Sequence, residues 1–223
     1  MTELLVDEKV IKDRQNQISR NTYTHNNELE KVYELRFLYG KLIGCTACAA
    51  RKECIAPVSG AGNVSSKIVL VGRNPGRNED AEGVPFIGKG GDLLNQFIKW
   101  VGLDREYLFI TNALKCFTED NRVPTTEEVN LCGATWLTKE LNLLKPKLII
   151  TFGAEACRLL TNFDYKTATM KLHQFADNSP LSKSYIICCT HPGACLRNSI
   201  YADRFRTESY FVKAQIKALR LLP

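Results

Sequence analysis

Four short apolar runs alternate with segments of helical periodicity, and this alternation limits the fold more than any other feature of the sequence. Each run is long enough for one buried strand, and the runs cover residues 67–72, 107–111, 147–152 and 184–189. Helix-spaced apolar residues occupy about 28–44, 90–101, 126–144, 153–161 and 204–221. We therefore predict an α/β fold with three layers, in which a mostly parallel four-stranded sheet carries helices on both faces.

Length and composition favour a single globular domain. The chain has 223 residues, 44% of them apolar and 24% charged, which excludes a disordered or collagen-like chain. Residues 1–26 are polar and weakly periodic, so we predict an N-terminal arm or ragged helix there and a single domain over 27–223. The net charge of +6 is compatible with a polyanionic partner without requiring one, and we expect a monomer.

The nine cysteines indicate a function for thiols. The first residues mix acidic with apolar side chains and lack the apolar core of a signal peptide. No apolar run approaches the roughly 18 residues that a membrane span needs. We therefore expect a cytoplasmic or otherwise intracellular protein that is neither secreted nor bound to a membrane. Its reduced thiols suggest metal or cluster ligation before disulfides.

A candidate metal site combines two parts of the chain. Cys45 and Cys48 form a C-x-x-C pair in a loop, and Cys116 and Cys132 can close a four-cysteine site from a later segment. Cys54 is a rival ligand. This spacing does not distinguish tetrahedral zinc from an iron–sulfur cluster.

Three polar residues directly follow predicted strands. Asn74, Asn112 and His191 come after the first, second and fourth runs. Because the carboxyl ends of parallel strands meet at one edge of a sheet, and ligands bind beyond that edge, these residues are expected to converge on a binding site. The alternative is that each simply caps a helix or forms a turn.

A second motif, Gly83–Gly90, nearly matches a phosphate-binding loop, but the match fails twice. A glycine, Gly90, stands where a Ser or Thr hydroxyl must reach Mg²⁺, and the segment does not directly follow a strand. We therefore set aside a nucleotide hydrolase.

Six segments match, in order, the motifs of one enzyme family. They are Cys45–Cys48, Gly72–Asp80, Gly83–Gly91, Ile110–Cys116, Asn121–Cys132 and His191–Arg197. Together they resemble the uracil-DNA glycosylases that carry a four-iron, four-sulfur cluster, often called family 4, over most of the chain. The resemblance implies a uracil-DNA glycosylase-like fold and an enzyme of base excision repair that hydrolyses the N-glycosidic bond of a flipped uracil in DNA. It also implies a 4Fe-4S cluster on Cys45, Cys48, Cys116 and Cys132, with zinc as the alternative occupant.

The resemblance assigns roles to the residues around the base. His191 is expected to donate a hydrogen bond to uracil O2 as negative charge develops there, and Asn74 to hold the attacking water. Asn112 offers a donor and an acceptor that match uracil O4 and N3–H and not cytosine. Phe86 is expected to stack on the base, with core packing as its alternative role.

DNA contacts are expected from two further segments. Lys89, Gly90 and Gly91 open a helix whose N–H groups can hold a phosphate, although Lys89 can also be an ordinary solvated residue. Leu196 and Arg197 are expected to enter the minor groove and fill the space that the flipped base leaves.

The first motif departs from the family pattern. The iron–sulfur family usually has Gly-Glu-Ala-Pro-Gly, whereas this chain has Gly72, Arg73 and Asn74 followed by Pro-Gly. The asparagine is more similar to mismatch-specific and single-strand-selective glycosylases. Because Gly72 and Arg73 are expected to shape the base pocket, two alternatives stay open. One is a non-catalytic DNA-binding or replication accessory protein, and the other is a glycosylase for another deaminated base such as hypoxanthine.

Overall fold

The computed structural model describes residues 7–25, 28–175 and 179–221, and it contains one seven-stranded sheet. The strands are β1 (Thr22–Tyr23), β2 (Ala61–Asn63), β3 (Ile68–Gly72), β4 (Phe109–Asn112), β5 (Leu148–Phe152), β6 (His173–Gln174) and β7 (Tyr185–Cys189). Their order across the sheet is β1-β2-β4-β3-β5-β7-β6. Every neighbouring pair among β4, β3, β5 and β7 is parallel, so their carboxyl ends lie at one edge.

The predicted α/β class is confirmed, and all four predicted strands are present, but the prediction of a four-stranded sheet was wrong. The three additional strands contain only two or three residues each. β2 runs antiparallel to β4, and β6 runs antiparallel to β7. Strands this short have too few residues to show an alternating pattern, which explains why the sequence did not reveal them.

The described residues also form ten α-helices. These are α1 (Glu8–Asn21), α2 (Leu29–Ile43), α3 (Arg77–Glu82), α4 (Lys89–Val101), α5 (Thr126–Cys132), α6 (Thr138–Leu144), α7 (Ala154–Thr161), α8 (Tyr165–Ala168), α9 (Pro192–Cys195) and α10 (Ser199–Ala218). A π-helical turn, Gly133–Leu137, separates α5 from α6 inside the single predicted helix over 126–144. No helix in these ranges is long and apolar enough to cross a membrane.

Apolar side chains cover both faces of the sheet because successive strand residues point in opposite directions. One cluster joins Val69, Val71 and Ile149 to residues of α2, α5 and α6. The other joins Leu70 and Ile150 to residues of α4 and α10. The sheet is therefore buried between helices, and only its edges and strand ends are free to build a site.

A charged pair is buried beneath one face of the sheet. The Lys115 ammonium lies 2.7 Å from Oε2 of Glu140, and both side chains are at most 1% exposed. The same carboxylate accepts hydrogen bonds from the hydroxyls of Thr111 and Tyr39. Because Lys115 follows β4, Tyr39 lies on α2 and Glu140 on α6, this network ties two helices to the strand that ends in Asn112.

Helix α1 packs beside the segment that follows β3. The Arg14 guanidinium is buried and donates to the backbone carbonyl of Asp80 in α3. Both carboxylate oxygens of Asp80 accept from the backbone N–H of Ile55 at 3.1 Å. Burial lowers the pKa of Arg14, and the carboxylate of Asp80 opposes that shift. These contacts fix α3, and with it the loop after β3.

We expect Lys115→Met to destabilise the protein by about 3–5 kcal/mol, because it leaves the Glu140 carboxylate buried without its cation. Urea unfolding measures this change. Lys99→Met, on the exposed face of α4, is the matched control and should change stability little. The double variant Lys115→Met/Glu140→Gln should recover part of the loss, and a single variant as stable as the control would contradict the argument.

Candidate active site

The carboxyl ends of β3, β4, β5 and β7 open into a cavity of about 780 Å³. Residues predicted to act on the base line it together: Arg73, Asn74, Phe86, Asn112 and His191. The polar residues that follow separate strands thus converge on one cavity in the folded chain.

Phe86 is part of the cavity wall and lies against the end of β3. Its backbone has a positive φ of 56°, and its side chain is buried both in the cavity wall and in the apolar cluster of α4. A Cβ at Gly72 would lie 2.4 Å from the Phe86 ring, and a Cβ at Gly91 would lie 2.1 Å from the Phe86 carbonyl oxygen. Gly72 and Gly91 therefore allow the close approach that places Phe86, which packs in the core and also lines the cavity, so its stacking on a base stays a prediction.

Asn112 presents an unused acceptor. It pairs in register with Gly72, and its side chain is 2% exposed. Its amide Oδ1 has no hydrogen-bond partner within the described part of the chain. A buried acceptor without a partner costs free energy, so a donor from a ligand in the cavity would be strongly favoured there.

The geometry of His191 defines its protonation. Its Nδ1 accepts a hydrogen bond from the backbone N–H of Gly193 at 3.0 Å, so the proton of the neutral ring is on Nε2. Burial, together with the positive charges of Arg73 and Arg197, lowers the pKa of His191 from 6.5 to about 3. The ring is therefore a neutral hydrogen-bond donor at physiological pH.

The loop that carries His191 is fixed by residues that sequence reasoning missed. The backbone N–H of Thr190 donates to Glu208 at 2.6 Å, and the Tyr165 hydroxyl lies 2.9 Å from the Thr190 hydroxyl. Arg204 pairs with the same Glu208 carboxylate at 3.0 Å. Glu208 lies on the buried side of α10, and no local sequence signal distinguishes it from the exposed charged residues of that helix.

Arg73 and Asn74 form a connected pair at the end of β3. The Nε–H of Arg73 donates to Asn74 Oδ1 at 2.8 Å, and Asn74 Nδ2 donates to the carbonyl of Pro75 and the hydroxyl of Thr118. Burial lowers the pKa of Arg73, while the carboxylate of Glu155 opposes that shift. Glu155 also lines the cavity and was not predicted as a site residue.

Glu79, another residue that the sequence did not single out, joins two loops of the cavity. One of its carboxylate oxygens accepts from the backbone N–H of Gly76 at 3.0 Å. The other accepts from Ile87 and Gly88 at 3.0 and 2.8 Å. Its place three residues after Gly76, in the first turn of α3, was the available signal, because a glutamate at that position reaches back to the helix start.

Four of the five predicted DNA-contact residues line the cavity, whereas Gly91 is buried and its backbone N–H already donates to the carbonyl of Gly88 at 2.7 Å. Lys89 is exposed at the first position of α4, and Leu196 is 53% exposed beside Arg197. A Cβ at Gly90 would lie 4.0 Å from the backbone nitrogen of Gly193. The start of α4 and the loop of His191 therefore face each other across the opening.

Three cysteines of the predicted metal site, together with the rival Cys54, lie in one cluster outside the cavity lining. Cys54, Cys116 and Cys132 are buried in one cluster, against which Cys48 packs. The Trp136 indole N–H lies 3.3 Å from Cys45 Sγ, and the backbone N–H of Lys115 lies 3.3 Å from Cys132 Sγ; both geometries are hydrogen bonds to sulfur. Burial raises the pKa of the Cys132 thiol to about 12, an effect to which Cys48 and Cys45 add.

The structure brings these thiols near one another without forming a ligand set. Among the described residues, no three His, Cys, Asp or Glu side chains are placed so that they could hold a metal ion. The donor chemistry nevertheless fits a thiolate-bound centre, because Cys48, Cys116 and Cys132 share one cluster, and Cys45 and Cys132 accept hydrogen bonds at sulfur. Cys54 contacts Cys116, so the rival ligand lies in the same cluster.

Comparison with known proteins agrees with this fold and site. Residues 59–216 match the family model of the uracil DNA glycosylase superfamily. A type-4 uracil-DNA glycosylase of Archaeoglobus fulgidus is 37% identical over 172 residues, which cover 75% of this chain and 84% of that protein. One of Thermotoga maritima is 33% identical over 176 residues, which cover 79% of this chain and 87% of that protein. The chain belongs to the uracil-DNA glycosylase superfamily and, within it, to the type-4 family, which confirms the resemblance of its motifs.

We expect NMR of a protein with ¹⁵N-labelled histidine to show the Nε2–H tautomer of His191 from pH 7 down to pH 5, because its pKa lies near 3. The unfolded chain takes up the proton first, at about 6.5. The contribution of this histidine to stability is therefore complete above about pH 6.5 and is lost as the pH falls toward 3. An imidazolium signal at pH 6 in the folded protein would contradict this assignment.

Proposed function

We propose that this protein is a uracil-DNA glycosylase of base excision repair, which hydrolyses the N-glycosidic bond of a uracil flipped out of DNA. The observation that carries the proposal is the unpartnered, buried Oδ1 of Asn112, which shares a cavity with the neutral donor of His191. The type-4 relatives bear the same activity in their names.

Recognition of the base follows from hydrogen-bond polarity. The N3–H of uracil can donate to Asn112 Oδ1, and the amide N–H of the same residue can donate to uracil O4. Cytosine presents the reverse pattern and would leave the buried acceptor without a donor, so it is rejected. Phe86 supplies the aromatic surface on which the base stacks.

Bond cleavage needs stabilisation of two developing charges. As the bond between C1′ and uracil N1 breaks, its electron pair moves into the base, and Nε2–H of His191 donates to O2, where negative charge appears. The sugar becomes cation-like, the oxygen of a water bonds to C1′, and the proton that this water releases balances the charge of the departing uracil anion. The carbonyl oxygen of Asn74 holds that water; an amide is a weak base, but a cation-like sugar needs little activation.

DNA is held at the mouth of the cavity. The backbone N–H groups of Lys89 and Gly90 at the start of α4 suit a phosphate, and the Lys89 side chain adds a positive charge. Leu196 is exposed where a side chain can fill the space of the flipped base, and Arg197 lies beside it.

We further propose that Cys45, Cys48, Cys116 and Cys132 hold a 4Fe-4S cluster that braces the fold. When bound, such a cluster joins the loop after α2 to the segment after β4 and supplies structural support rather than chemistry to the base. The support for this ligand set is the spacing of the family motifs, together with the packing of Cys48, Cys116 and Cys132 in one cluster, where Trp136 also packs and donates to Cys45. Zinc is the alternative occupant.

An end-labelled duplex with one U·G pair tests the activity directly. We expect cleavage at the uracil after alkali treatment, resolved on a sizing gel, and no cleavage of a T·A duplex. Protein that is folded and shifts the duplex on a native gel but leaves the strand intact would overturn the assignment and favour a DNA-binding accessory protein. Cleavage only of a hypoxanthine-containing duplex would instead reassign the base.

The catalytic roles predict losses of turnover without loss of DNA binding. His191→Ala should lower kcat about 10²–10³-fold, because it removes a donor to the developing oxyanion. Asn74→Ala should lower it about 10²-fold, because the water is no longer oriented. Asn130→Ala, on the exposed face of α5, is the matched control. Unchanged turnover in both active-site variants would contradict the mechanism.

For the cluster, Cys45→Ala or Cys132→Ala should lower the folding yield and abolish the brown colour, because each removes a proposed ligand. Cys54→Ala should keep the colour, since the thiol is not in the proposed set. Absorption spectra and iron content measure both effects. A folded, coloured Cys132→Ala protein would exclude that residue as a ligand and put Cys54 in its place.

A further inference from the structure

The side-chain amide of Asn74 has two ends with opposite hydrogen-bonding character, and only one of them can hold an attacking water as an acceptor. Which end faces the cavity therefore decides whether this residue can function. The neighbours of Asn74 fix that choice, and the decisive neighbour is Thr118, whose side chain is completely buried.

The hydroxyl of Thr118 has one proton, and the structure shows where it goes. Thr118 Oγ1 donates to the backbone carbonyl of Arg122 at 2.7 Å. The same oxygen lies 3.1 Å from Asn74 Nδ2. Because its only proton is already donated to Arg122, Oγ1 can only accept a hydrogen bond from Nδ2. The Pro75 carbonyl, 3.0 Å from Nδ2, is also an acceptor. Both contacts require the NH₂ end of Asn74 at this side.

The carbonyl end of Asn74 therefore points the other way. Arg73 Nε donates to Oδ1 at 2.8 Å, and a carbonyl oxygen has a second lone pair for another donor. We propose that Thr118 is a positioning residue, which fixes the amide of Asn74 so that its carbonyl oxygen is presented to the attacking water. This inference rests on the proposed function and adds a residue that lies outside the cavity lining.

Thr118 is itself held by a charged junction. The Arg122 side chain binds Glu53 through Nε at 3.1 Å and Glu128 through Nη2 at 2.7 Å. These ion pairs lower the pKa values of both carboxyl groups and raise that of Arg122. Glu53 lies between Cys48 and Cys54, and Glu128 lies on α5, which ends at Cys132.

The backbone carbonyl of Arg122, which accepts the hydrogen bond from Thr118, is thus part of the segment that joins the cysteine loops. When both carboxylates bind the Arg122 side chain, the backbone carbonyl of Arg122 stays where it can accept the hydrogen bond from the Thr118 hydroxyl. The orientation of Asn74 consequently depends on the same packing that gathers the cysteines.

Thr118→Val tests the inference, because it keeps the shape of the side chain and removes the hydroxyl. We expect kcat for the U·G duplex to fall up to about 10²-fold while KM changes little, since the water is misplaced and DNA contacts are untouched. Thr118→Ser should restore most of the lost turnover. Thr22→Val, which also loses a buried hydroxyl hydrogen bond but lies at the sheet edge, is the matched control.

The same substitution in an Asn74→Ala background separates positioning from general destabilisation. If Thr118 acts through Asn74, Thr118→Val lowers kcat no further in that background. An equal loss in both backgrounds, or wild-type turnover of Thr118→Val, would overturn the positioning role while leaving the glycosylase assignment intact. Failure of the proposed function looks different. In that case the wild-type protein would leave the U·G duplex intact, or Asn74→Ala would turn over as fast as the wild type.

Discussion

The register between β3 and β4 is the constraint on which the rest of the site depends. Gly72 lies directly beside Asn112 at the carboxyl ends of these parallel strands. Because Gly72 has no side chain, the Phe86 ring and the Asn112 amide can both approach it closely. A shift of one residue in this pairing would turn the asparagine to the other face of the sheet and separate the acceptor from the aromatic surface.

The elements that the sequence predicts well are those with a strong local signal. The four buried strands are continuous apolar runs, and His191 and Asn112 follow two of them, so the convergence at one sheet edge was predictable from topology alone. The short edge strands have no such signal. Thr118 and Glu208 were not predictable either, because their roles come from partners that are distant in sequence and appear only when the chain is folded.

Burial, with the positive charge around the cavity adding to it, explains why His191 is a neutral donor. Arg73 and Arg197 lower the pKa of His191, and the Gly193 N–H occupies its Nδ1. A protonated ring would be a third positive charge, buried next to two others, and this raises the free energy of the imidazolium relative to the neutral ring. The arginine in the first motif, unusual for the family, therefore favours the neutral ring while it also binds Asn74.

In the altered motif, Asn74 is the change that affects the attacking water, and Arg73 and Thr118 fix its orientation. An asparagine at position 74 is useful only if its amide has the correct orientation, since the reversed amide would present donors to a water that needs an acceptor. Arg73 satisfies one lone pair of Oδ1, and Thr118 accepts from Nδ2. Each neighbour has the polarity that the functional orientation requires and would oppose the reversed one. The departure from the family pattern is therefore compatible with catalysis, because the surrounding hydrogen bonds are consistent with a single orientation of the amide.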